Sequence, residues 1–112
     1  MFLEKRQLPG MTLLVVGGMI KLGESAAFFA QTLERTLEEE LGHVVLDFSQ
    51  INYIDSTGLG ELVGYLGRFG ERKRKVILVQ PAERVRKLLE VAGLLSLFPI
   101  YDSVDQAVAA EG

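Results

Sequence analysis

Two nearly unbroken apolar runs, Val44-Val45-Leu46-Asp47-Phe48 and Val76-Ile77-Leu78-Val79, constrain the fold of this chain more than any other feature. A strand with one wet face alternates apolar and polar side chains. A strand that is apolar almost throughout has both faces covered, as in a parallel sheet carrying helices. Between the runs the period changes, and Leu59, Leu62, Val63, Leu66 and Phe69 form an apolar stripe at helical spacing. A strand–helix–strand unit of this kind pairs parallel through a right-handed crossover.

The rest of the chain extends this unit in both directions. Phe2 to Leu8 carries Glu4, Lys5 and Arg6 at its middle, which suits a solvated edge strand. Pro9-Gly10 is a turn signal, and Thr12 to Val16 reads as a second strand, antiparallel to the first and ended by Gly17-Gly18. From Ser25 to Leu41 the spacing predicts a helix with Ala26, Phe29, Ala30, Leu33, Leu37 and Leu41 on one face. Ser25 fits its N-cap and Gly42 its C-cap. The second helix runs from Gly58 to about Gly70. Pro81 suits the first turn of a third, with Val85, Leu88, Leu89 and Ala92 inward and Gly93 as its stop. Leu97 to Tyr101 reads as a short edge strand, because Pro99 cannot donate to a ladder. Ser103 and Gln106 have capping-box spacing for a last helix through Ala110. The expectation is an α/β fold: one domain over residues 1–112, a mixed sheet of four to five strands with helices packed on it.

Composition narrows the function. With 48% hydrophobic and 24% charged residues, the chain is globular in character. Its formal charge of −3 argues against direct nucleic-acid binding, which needs a basic footprint. The basic cluster Arg72-Lys73-Arg74-Lys75 is expected to be a solvated turn before a strand. There is no cysteine, so disulfides, thiolate metal sites and a cysteine nucleophile are excluded. The N-terminal residues lack the basic-then-apolar order of a signal peptide. The longest apolar stretch, Met11 to Ile20, is far short of the ~20 residues that span a bilayer. The expected location is cytoplasmic, with a membrane role only through a partner.

The chemistry-bearing stretch is Asn52-Tyr53-Ile54-Asp55-Ser56-Thr57-Gly58-Leu59-Gly60, between the first apolar run and the stripe. A carboxylate and two hydroxyls at a helix start satisfy orphan N–H groups, and the same terminus favours added negative charge such as phosphate. By spacing alone these residues fit a plain cap as well as an exposed, modifiable hydroxyl. Enzyme readings fail. The lone His43 begins a strand whose far end leads to Ser56, and five strand residues span ~16 Å, too far for a triad. Nor has it a second histidine with which to share a metal. Gly58-Leu59-Gly60 lacks both the third glycine of a dinucleotide loop and the Gly-Lys-Ser/Thr ending of a triphosphate loop. Asp47 and Asp55 lie eight residues apart across a loop, and Asp47 is better read as a structural acceptor. Gly60, Gly64 and Gly67 line one side of the helix, where packing within the protein is the simpler expectation and a partner's backbone the other. No catalytic residue, metal ligand or cofactor is assigned.

Val44-Val45-Leu46-Asp47-Phe48 followed by Tyr53-Ile54-Asp55-Ser56-Thr57-Gly58-Leu59-Gly60 resembles the signature of STAS domains (sulphate transporter and anti-sigma factor antagonist). The likeness extends to the strand before Pro81 and to Leu88-Leu89 with Ala92-Gly93-Leu94. It implies a stand-alone anti-sigma factor antagonist, not an enzyme. In such members the hydroxyl before the glycine, here Thr57, is phosphorylated by a serine/threonine kinase that is itself the anti-sigma factor and binds the ATP. Ser56 is the second choice of acceptor. The unphosphorylated form binds that kinase and frees the sigma factor, and a PP2C-type phosphatase restores it. The implied partner surface is Asp55, Ser56, Thr57, Gly58, Leu59 and Gly60. Two positions depart from the pattern. Thr57 replaces the commoner serine, as in stress-signalling complex members, so a scaffold role in such a complex is also implied. Gly18-Met19-Ile20-Lys21 stands where the family often has Gly-Glu-Leu-Asp, which bears on partner choice. The alternative is a STAS subunit of a transporter or lipid-trafficking complex, in which Thr57 is only a cap.

Overall fold

The two apolar runs lie side by side near the middle of a five-stranded sheet. A computed structural model describes residues 1–112. The elements are β1 (Phe2–Leu8), β2 (Met11–Ile20), α1 (Glu24–Glu39), β3 (His43–Ile54), α2 (Ser56–Glu71), β4 (Val76–Val79), α3 (Glu83–Val91), β5 (Ile100–Tyr101) and α4 (Val104–Glu111). A single 3-10 turn at Leu95–Leu97 separates α3 from β5. The strand order is β1-β2-β3-β4-β5, antiparallel between β1 and β2 and parallel elsewhere.

Both faces of the sheet are covered, so β3 and β4 need apolar residues at successive positions. Val44, Leu46, Phe48, Val76 and Leu78 join α1, α2 and α3 in the larger core. Val45, Ile77 and Val79 point the other way and meet Ala107 of α4. Within the larger core the rings of Phe29 on α1 and Phe48 on β3 lie 6.1 Å apart, a separation typical of a tilted aromatic pair.

Several boundaries differ from the sequence expectation, each for a local reason. Gly17-Gly18 does not end β2, which continues to Ile20. The ring of Phe2 lies where a side chain on Gly17 would stand, so β1 covers the glycine and the ladder persists. Ser25 is not the N-cap of α1; Gly23 is, while the Ser25 hydroxyl bonds back to the Lys21 backbone. Leu41 is not on the inward face. The helix stops at Glu39, and Leu41 is 86% exposed. The C-cap is Glu40, whereas Gly42 lies beyond it at φ 81° with the Gly10 carbonyl where a Cβ would go. Pro81 stands one residue ahead of the α3 N-cap, Ala82. Leu88 and Ala92 are exposed, leaving Val85 and Leu89 as the buried face of α3. The last strand shrinks to Ile100–Tyr101 because the 3-10 turn takes Leu97. At α4 the Ser103 hydroxyl accepts from the Gln106 N–H at 3.0 Å.

The basic cluster is not a merely solvated turn. Arg72 pairs with Glu38 and Lys75 with Glu111, each at 2.8 Å. Arg74 donates to the carbonyls of Thr36, Leu37 and Gly42 and stacks on Phe69. It therefore gives a charged partner to the Leu37 carbonyl at the end of α1, a helix with no basic residue in its own last turn.

Candidate functional site

β3 feeds α2 through a single residue, Asp55. Its backbone is extended, which aims its side chain back over the first turn of the helix. One carboxylate oxygen accepts from the Gly58 N–H at 2.9 Å, as an N-cap should. The other accepts from the Leu22 N–H at 2.8 Å, in the loop between β2 and α1. The Asp55 N–H donates to the Ile20 carbonyl at 3.1 Å. This one residue thus ties the start of α2 to the loop leading into α1. The Gly58 and Leu22 N–H groups hold its carboxyl below the usual carboxylate range, so it is ionised at neutral pH.

Gly58 is buried, and a Cβ there would lie within 3 Å of Ile54 and of the Ile20 carbonyl. Only glycine lets the helix start so close to the ends of β2 and β3. Of the six residues assigned to a partner surface, Gly58 therefore faces inward.

Asp55 and Gly58 have structural duties, and the residues between them have none. Ser56 is exposed and Thr57 half-buried. Neither hydroxyl bonds within the protein. Since no buried side-chain oxygen is left without a partner, the Thr57 hydroxyl reaches water. It sits at the second residue of α2, a helix with no acidic side chain in its first turn. The terminus is therefore electropositive apart from Asp55.

The glycine row does not pack against the sheet. Gly60, Gly64, Gly67 and Gly70 each have open space where a Cβ would stand, so the row is a bare strip on the outer side of α2. Asp47 accepts from the Ser49 N–H at 3.0 Å and takes no part in the Asp55 cluster. His43 sits at the far end of β3, where Nδ1 accepts from the Lys75 N–H at 2.9 Å. No three His, Cys, Asp or Glu side chains gather as a metal site.

Residues 2–107 match the family model of the STAS domain. The chain belongs to the STAS family. This STAS domain is 32% identical over 82 residues to the anti-sigma-B factor antagonist of Listeria monocytogenes, a match covering 70% of this chain and 72% of the relative. The Bacillus cell fate determinant SpoIIAA in its phosphorylated form superimposes with a TM-score of 0.77 at 14% identity, over 97% of this chain and 98% of that one. The murine anion transporter Slc26a9 gives 0.79 at 15% identity, over 95% of this chain and 18% of the transporter. These last two likenesses establish the fold alone. No helix of the chain is long and apolar enough to cross a membrane.

Two features of the site were not read from the sequence. The bond from Asp55 to Leu22 joins residues far apart in the chain and leaves no local pattern. A groove between the start of α2 and α3 was also missed, although Arg84, Lys87, Leu88 and Val91 recur at the spacing of one helix face.

Proposed function

We propose that this STAS domain is an anti-sigma factor antagonist switched by phosphorylation at Thr57. Unphosphorylated, it binds an anti-sigma factor through the segment Asp55 to Gly60 and so frees the sigma factor. That partner is a serine/threonine kinase with its own ATP. It moves the γ-phosphoryl group to the Thr57 oxygen, ADP leaves, and the hydroxyl proton passes to a base of the kinase. A PP2C-type phosphatase reverses the step. The domain contributes binding and an acceptor hydroxyl, and no catalysis. The observation that carries this reading is the position of Thr57: in the first turn of α2, open to water, and without a structural task.

The physics favours a switch by docking. A phosphate adds about −1.5 to −2 charges. Beside a helix N-terminus that is locally favourable by ~0.3–1 kcal/mol, and Asp55 opposes part of it. The fold therefore tolerates the group. Within an interface the same unpaired charge costs several kcal/mol, and each ~1.4 kcal/mol is tenfold in affinity.

Affinity capture with the wild-type chain, followed by purification of the captured anti-sigma factor, supplies the test. Thr57→Ala should bind it constitutively and resist phosphorylation by it. Thr57→Asp should bind at least a hundredfold more weakly, with an unchanged circular dichroism spectrum. Equal affinity of all three forms would sink the reading and leave a transporter or lipid-trafficking subunit; in that case Thr57 would not be the cap the sequence suggested, since Asp55 fills that place.

A further inference from the structure

Beside Ser56 the surface drops into a groove of about 620 Å³ between the start of α2 and the outer face of α3. Its floor is apolar, with Tyr53, Leu59, Leu88 and Val91 among the lining residues. Val91 is 77% exposed and Tyr53 and Leu88 are also open to solvent, so the apolar surface is unclaimed by the core. Arg84 and Lys87 also line it, each one turn along α3 before an apolar lining residue, Leu88 and Val91 respectively. Neither takes part in any of the ion pairs that tie down Lys5, Arg6, Arg68, Arg72 and Lys75. The one carboxylate in the groove, Asp55, has both oxygens occupied by backbone N–H groups. A chain of net charge −3 thus holds two free cations over an apolar trough lined by Ser56, the residue before its candidate acceptor.

From this charge pattern we infer that the groove seats an apolar side chain of the anti-sigma factor, flanked by partner carboxylates that pair with Arg84 and Lys87. The inference rests on the proposed function and adds a second contact region to it. The apolar floor supplies the desolvated centre of the contact. The two cations sit at its rim, where charge governs orientation and rate of encounter more than final tightness. Phosphate on Thr57, one residue beyond Ser56, would add negative charge to the same end of α2 and compete with the partner's carboxylates for Arg84 and Lys87.

The experiment measures binding of the full chain to the purified anti-sigma factor, by surface plasmon resonance at 50 and 300 mM salt. Arg84→Glu with Lys87→Glu should lower affinity at least thirtyfold at low salt, chiefly through a slower association rate. The loss should shrink at high salt. Leu88→Ser should raise the dissociation rate at least tenfold at both salt concentrations. All of these side chains are exposed, so the melting temperature should be unchanged; Arg84→Ala with Lys87→Ala serves if the reversal fails to fold. Affinity within threefold of wild type for the charge variants, with Thr57→Asp still defective, would overturn the groove and leave the switch standing. A normal Thr57→Asp with defective groove variants would do the reverse. Retained partner affinity with loss of sedimentation on phosphatidylglycerol vesicles would assign the groove to a lipid surface and overturn the inference.

Discussion

Asp55 and Gly58 show how a four-residue signature divides its labour. The carboxylate of Asp55 holds two backbone N–H groups, and its acidity is raised by both. A carboxyl whose folded pKa is depressed stabilises the fold fully above its unfolded value, about 3.9. That contribution is lost as pH falls through the depressed folded value. Asp55→Asn keeps an oxygen for Gly58 and turns an N–H₂ toward Leu22, breaking the tie to the loop. Urea titrations should therefore show a stability loss at pH 7 that narrows toward pH 3, and faster hydrogen exchange at Leu22. Gly58→Ala should act through packing instead. Its methyl meets a carbonyl that cannot retreat without moving β2, so it should cost about 1–3 kcal/mol by chemical denaturation, independent of pH.

At the scale of elements, α2 is an unusual helix because its outer side is a strip of glycines. Nothing in the protein requires Gly64 or Gly67, and helical glycine is less stable than alanine by roughly 0.5–1 kcal/mol. Gly64→Ala and Gly67→Ala should each stabilise the isolated chain by about that amount, read as a higher urea midpoint. The sequence spacing placed the row on one side of the helix correctly. It could not say which side faced water, because Leu59 and Val63 leave room for either orientation. The same limit explains α3. Val85 and Leu89 with Leu88 and Ala92 form an apolar arc wider than the sheet can cover, and only packing reveals that the second pair is left outside. The parallel pairing was legible because Val44–Phe48 and Val76–Val79 leave no polar face; the order of the five strands was not, since no residue pattern records which edge the next strand joins. The boundaries of β2 and α1 were not, since they depend on Phe2 covering Gly17 and on Gly42 meeting Gly10. Of the candidate site, the cap and the hydroxyls were legible from residue type. The inward packing of Gly58 was not.

For the molecule as a whole, the sheet has unequal covers. Three helices lie over one face, and α4 alone protects Met11, Leu13, Val45, Ile77 and Val79 on the other. Its end is held by Glu111, which accepts from Tyr101 at 2.6 Å and from Lys75 at 2.8 Å. A chain ending at Ser103 should expose that apolar face and be recovered aggregated or with a much lower melting temperature. Glu111→Gln keeps an acceptor for Tyr101 but loses the charge that strengthens both bonds at a side chain only 10% exposed, so it should cost about 1 kcal/mol, read as a lower urea midpoint. The site lies off this weaker side, at the ends of β2 and β3, where the larger core anchors it.

The single-residue joint between β3 and α2 has one more consequence. With no slack on either flank, Ser56 and Thr57 cannot swing, and any docking protein meets them already in place. Little ordering entropy is then lost on contact, so recognition can be quick, and tighter than a mobile loop of the same contacts would allow. A glycine inserted ahead of Asp55 would give these hydroxyls a swivel, slowing their encounter with a kinase even where the rest of the chain remained as it is.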